Sequence, residues 1–168
     1  MPGRIRFGTN GSQWCPRCPR RPGMHTLSAG AAVYQVFEHT ADLGIRVHAV
    51  TLGDLMADAG RGLFAVIAGD LAQIATHEER SFMVPGTDPV WLLHDWTSEL
   101  LAAFEIDRLL LREFRVAIDA TGLRATARGE RFDPERHQLA HEVKAITQHL
   151  LDVRHGPDGW EATFIVDI

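Results

Sequence analysis

The last nine residues alternate. Trp160, Ala162, Phe164 and Val166 fall on one side of an extended chain, and Glu161, Thr163, Ile165 and Asp167 on the other. Period two over that length marks a half-buried strand, because successive side chains of extended backbone point to opposite faces. A strand with one apolar face cannot stand alone; it needs neighbours at its edges and a layer over that face. The segment from Glu142 to Arg154 supplies one neighbour, joined to it by the turn-rich link His155-Gly156-Pro157-Asp158-Gly159. Earlier segments read the same way: Val33 to Phe37, Gly44 to Val50, and residues 79–85, stopped by Pro85-Gly86. Glu113 to Asp119 and Leu123 to Gly129 flank Ala120-Thr121-Gly122 as a further hairpin, with Gly122 and Gly129 read as turn glycines.

Two segments change period. Thr51 is an N-cap with Asp54 three residues on, and Leu52, Leu55, Met56, Ala59, Leu63 and Val66 recur at helical spacing, predicting a helix to about Ala68 that Gly69-Asp70 ends. Asp88-Pro89 opens a second helix, about 89–105, whose apolar residues are spread widely enough to bury it on more than one side. Its aromatics Trp91, Trp96 and Phe104 read as core, and residues 130–141 as a polar loop with one helical turn. The prediction is an α+β domain: a mainly antiparallel β-sheet of about six to seven strands with two main helices packed on one side.

The 168 residues suit one domain with its own core. Residues 1–32 read as a disordered extension, rich in Gly, Pro, Arg and Ser, and 33–168 as the domain. The extension holds both cysteines, Cys15 and Cys18, in a C-x-x-C that is half a zinc site or a redox pair, with His25 nearby; Met24 offers an alternative start that would remove both. No apolar run approaches a membrane span, and the arginine-bearing N-terminus has no apolar core of a secretory signal, so a cytoplasmic protein is expected. Beyond residue 32 twelve Lys and Arg face twenty-two Asp and Glu, so this body is a poor nucleic-acid binder and suits a metal ion or a basic protein surface. It has one lysine, Lys144, among eleven arginines.

Three segments, in order, resemble one family. Phe37-Glu38-His39-Thr40-Ala41-Asp42-Leu43-Gly44 is similar to the archease opening. Gly129-Glu130-Arg131-Phe132-Asp133-Pro134-Glu135-Arg136-His137, followed by Glu142-Val143-Lys144-Ala145-Ile146-Thr147, is similar to its central signature, and Val166-Asp167-Ile168 to its terminus. Gln148 stands where the family often has tyrosine. The resemblance implies a protein cofactor that activates an RtcB-type RNA ligase in tRNA splicing or RNA repair, promoting ligase guanylylation and multiple turnover, and meeting RNA only through the ligase. It also implies a divalent cation, calcium foremost and magnesium or manganese as alternatives, held by Asp42, Asp167 and Ile168.

Hard cations take several oxygen ligands, some charged. Asp42 and Asp167 offer carboxylates, and Ile168 the terminal one; solvated turn aspartates are the plainer account of the same residues. His39, in the opening motif, is placed to orient Asp42, and Lys144 to meet phosphate or carboxylate near the metal or the ligase. His137, His141 and His149 fit no established zinc spacing and read as surface histidines. No phosphate-binding glycine loop is present. Two other functions remain open: a metal-dependent hydrolase using Asp42 and Asp167 with His39 or Glu38 as base, and a chaperone-like scaffolding module without metal.

Overall fold

The computed structural model describes residues 34–39 and 42–168, all within a unit spanning Ala32–Ile168. The extension with Cys15 and Cys18, and Thr40 and Ala41 of the opening motif, lie outside the described residues. Seven strands and two α-helices follow in the order β1 (Tyr34–His39), β2 (Asp42–Ala49), α1 (Leu52–Ala68), β3 (Glu78–Pro85), α2 (Pro89–Asp107), β4 (Leu109–Asp119), β5 (Gly122–Arg131), β6 (Ala145–Gly156) and β7 (Gly159–Asp167). A short 3-10 turn, Leu71–Gln73, follows α1. Every strand pair is antiparallel. This is the α+β class read from the periodicities.

The strands divide between two sheets, ordered β1-β2-β7-β6 and β3-β5-β4. Helix α1 touches β1, β2 and β7 of the first sheet and β4 of the second; α2 touches β6 of the first and all three strands of the second. The helices therefore have a sheet on either side. Residues of α1 are buried almost all round. Gly62 makes the approach to the first sheet close: a Cβ there would stand 2.8 Å from Ile45 Cγ2 and 3.5 Å from the Tyr34 side chain. Trp96, with no exposed surface, links the helices by donating Nε1–H to the Met56 carbonyl at 2.8 Å.

The helix ends follow their capping residues. Thr51 Oγ1 accepts the Asp54 N–H at 3.1 Å, and Asp88 Oδ1 accepts from Val90 and Trp91 at 2.9 and 3.1 Å. Substituting Thr51→Ala leaves one first-turn N–H without its side-chain acceptor, and is expected to cost about 1 kcal/mol, read as a lower thermal midpoint.

Three readings change. Trp91 is 53% exposed and does not belong to the core, whereas Trp96 and Phe104 do. Strand β4 begins at Leu109, because the register shift between Leu111 and Glu113 breaks the alternation that would have shown its first residues. Gly129 is no turn glycine: it lies inside β5, opposite Leu111 of β4 and Glu78 of β3.

Candidate functional site

One end of the first sheet gathers the candidate residues. His39 pairs with Asp42 across the β1–β2 link, and Leu43 pairs with Val166. The same register carried one residue further sets Asp42 opposite Asp167. Asp167 pairs in turn with Ala145, and its carbonyl accepts the Lys144 N–H at 2.8 Å. The strand order thus gives a single row: His39, Asp42, Asp167, Ala145, with Lys144 immediately before the last strand. Ile168 packs its side chain against the core, which holds the end of β7 in place.

Alternation fixes which face this row occupies. Leu43, Ile45 and Val47 of β2 and Phe164 and Val166 of β7 enter the core beneath the helices. Asp42 and Asp167 consequently point to the outer face. Directly opposed residues of antiparallel strands have Cβ atoms about 5 Å apart, and like charges so placed destabilise the pair. Among the described residues no arginine, lysine or histidine forms an ion pair with either carboxylate, and Lys144 pairs with no acid. No three His, Cys, Asp or Glu side chains converge on one point among the described residues. A cation here would need the terminal carboxylate or carbonyl oxygens in addition, as hard divalent ions accept. The Asp42 and Asp167 carboxylates are oxygen donors of the kind a hard cation takes.

His39 makes no hydrogen bond to Asp42. Its Nδ1 is buried without a partner, as is Thr147 Oγ1. Strand β6 leaves register between Thr147 and Asp152, where Leu150 adopts a left-handed φ of 54°. The His39 and His149 rings meet with centres 5.2 Å apart. Ile165 is fully buried, although it lies on the face away from the helices and outside the main core cluster. The Phe37 ring lies over Gly44, filling the space where a Cβ would stand.

The central signature builds a clasp that the sequence did not reveal. Glu130 is 6% exposed. It accepts from Arg136 at 2.8 and 3.3 Å, from the Ala75 N–H at 2.6 Å and from His137 at 3.1 Å. The Asp133 N–H donates to His137 Nδ1 at 3.0 Å. That nitrogen therefore carries no proton, and Nε2–H is the donor to Glu130. His137, 6% exposed, is a core residue and not a surface histidine; His141 and His149 are exposed. The Arg136 hydrogen bonds, opposed by burial and aided by Ala75 and His137, hold the Glu130 carboxyl at about 2, below its ordinary 4.5. The signal available in the sequence was a glutamate six and seven residues before an arginine and a histidine.

The clasp fixes the chain that leads to Lys144. Beyond it, residues 139–144 and the end of α2 enclose a groove of about 510 Å³, with Phe104, Val143 and Lys144 among its walls. Arg108 also lines it, with its guanidinium over the Phe104 and Phe132 rings at 5.1 and 5.0 Å.

Two helices held between antiparallel sheets, with Asp42 and Asp167 at one end of the first sheet, define a small α+β protein. Residues 34–168 match the Archease protein family (MTH1598/TM1083), and the chain belongs to that family. It is 39% identical to the archease of Methanopyrus kandleri, over 80% of this chain and 99% of that protein. It is 38% identical to that of Pyrococcus abyssi, over 80% and 98%. The solution structure of Methanobacterium thermoautotrophicum protein 1598 is similar, with TM-score 0.72 and 31% identity over 82% of this chain and all of that one. Among the described residues no helix is long and apolar enough to cross a membrane.

Proposed function

We propose that this archease-family chain is a non-catalytic activator of an RtcB-type RNA ligase, promoting ligase guanylylation and repeated turnover in tRNA splicing or RNA repair within the cytoplasm. Its metal is a divalent cation, calcium foremost, held by the Asp42 and Asp167 carboxylates with the terminal carboxylate of Ile168. The observation that carries this reading is the register: in a member of this family, Leu43 pairs with Val166, so Asp42 and Asp167 are the next residues at the same end of two adjacent strands, and no protein cation pairs with either. Lys144, unpaired and bonded through its backbone to Asp167, stands where a point charge can meet phosphate or carboxylate of the docked ligase. The groove beside Lys144 belongs to the same docking face.

The test is ligation by the RtcB-type ligase of the same organism under multiple turnover, with and without this protein. Stimulation is expected, and Asp42→Ala or Asp167→Ala should lower it roughly tenfold or more, since loss of even an outer contact to a metal commonly costs that much affinity. Full stimulation by both variants would remove the metal from the reading. No stimulation by the unaltered protein, in guanylylation or in turnover, would remove the ligase.

A further inference from the structure

Among the described residues other than glycine, Arg108 and Leu150 have a left-handed backbone, each with φ 54°. Arg108 has an ordinary reason, since it caps the end of α2. Leu150 has none of that kind: it lies inside β6 and is 52% exposed. This backbone region is disfavoured for a bulky side chain, because Cβ crowds the following carbonyl. Val50, Met83 and Ile106 are exposed apolar residues too, but with ordinary backbone. Among the described residues Leu150 alone combines an exposed large apolar side chain with a left-handed φ.

The pairing of β6 with β7 explains how this conformation is held. Thr147 pairs with Ile165 and Asp152 with Thr163, so four residues of β6, Gln148 to Leu151, stand opposite Phe164 alone. Both flanks are fixed: Ile146 and Leu151 pack against the core, and Thr147 and Asp152 belong to the ladder. Strained backbone persists only where its surroundings over-determine it. Bulges that re-aim a side chain gather at sheet edges and beside functional sites, and β6 is an edge strand. This bulge lies toward the end of the first sheet that carries the candidate residues. His149 within it meets the His39 ring at 5.2 Å, and Asp167 follows Phe164 by three residues along β7.

An apolar side chain held in water on strained backbone contributes little to the isolated fold, so its use lies with an apolar surface of another molecule. We propose that Leu150, presented by the β6 bulge, is a docking anchor that enters an apolar pocket on the partner ligase. The inference rests on the reading of the chain as a ligase activator and adds where the partner is gripped. Burying a leucine side chain in such a pocket raises affinity without touching any reacting group. Its loss therefore changes how much protein is needed, not how fast the saturated ligase turns over.

The test is the dependence of multiple-turnover ligation on the concentration of the full chain, with melting temperatures measured alongside. Leu150→Ala keeps the left-handed backbone and shortens the side chain. Roughly tenfold more of it should be needed for half-maximal stimulation, with the plateau unchanged. Leu150→Met keeps an apolar side chain of similar size and should return that concentration to within about threefold of the parent's. Leu150→Gly should show the loss seen with alanine while melting no lower than the parent, because glycine adopts this backbone freely. Val50→Ala, just past the other end of β2 from Asp42, removes an 80% exposed side chain and should change neither quantity. Parent-like half-maximal concentrations for both Leu150→Ala and Leu150→Gly overturn the inference, as does melting of Leu150→Gly more than about 4 °C below the parent. Stimulation that still depends on Asp42 would then leave the activator reading standing. No stimulation by the parent overturns both.

Discussion

Replacing Glu130 with alanine should cost about 3 kcal/mol of folding free energy, because it leaves the buried His137 donor and the Ala75 N–H without their acceptor. For a domain of this size that lowers the melting temperature by roughly 6–12 °C. The loss should exceed that from Arg136→Ala, because the Arg136 side chain is 55% exposed and water can replace part of what it gives. The same carboxyl makes stability acid-sensitive. Its value in the folded state, about 2, is depressed from 4.5, so its contribution is fully present above about pH 4.5 and is lost as pH falls toward 2. Urea midpoints at pH 6 and pH 3 measure this. Glu130→Gln should be less stable at pH 6 and should lose less than the parent between the two. A variant with the parent's midpoint at pH 6 and the parent's acid slope would mean that the clasp does not form.

Gly129→Ala is expected to be at least as damaging. A Cβ at Gly129 would stand 1.8 Å from the Leu110 carbonyl oxygen, 2.8 Å from its carbon and 2.9 Å from Leu111 Cα. All three are backbone atoms of β4 at its register shift, so relief requires the β4–β5 pairing to part. Roughly 3–4 kcal/mol of destabilisation is expected, the cost of forced strand displacement in a packed sheet. Gly156→Ala is the matched control: nothing lies within 4 Å of a Cβ there, and the change should stay within about 0.5 kcal/mol. Equal melting temperatures for the two variants would contradict the close approach of β4 to β5.

The contrast between these glycines shows where sequence reading stops. Each sits among turn-formers or polar residues, and only the neighbouring strand, supplied by distant residues, distinguishes them. What is local was readable. Thr51 and Asp88 mark their helix starts because a cap acts within three residues, and the alternation from Trp160 to Asp167 puts Ala162, Phe164 and Val166 in the core as expected. The division into two sheets was not readable, because periodicity gives a strand's faces and not its neighbours. Ile165 illustrates the same point: alternation assigns it to the outer face correctly, yet it is buried there by groups that register alone could not foresee. His39, Asp42 and Asp167 were singled out only through the family resemblance, and the pairing of β2 with β7 makes the strands that carry the two aspartates neighbours. His137 escaped because a clasp closed over seven residues through one buried carboxylate has no periodic signature.

The strand order also bears on how the protein is made. The second sheet is drawn from β3, β4 and β5, which only α2 interrupts, so its pairing partners are all available once residue 131 has been synthesised. The first sheet cannot be completed in that way. Its inner strand β7 arrives last and must slot between β2 and β6, joining residues as distant as Leu43 and Val166. Until then the β1–β2 hairpin offers the edge of β2 with nothing to pair it, a long-range closure of the kind that slows folding and exposes nascent chains to mispairing. Asp42 and Asp167 therefore cannot come together before β7 has been synthesised and has found β2.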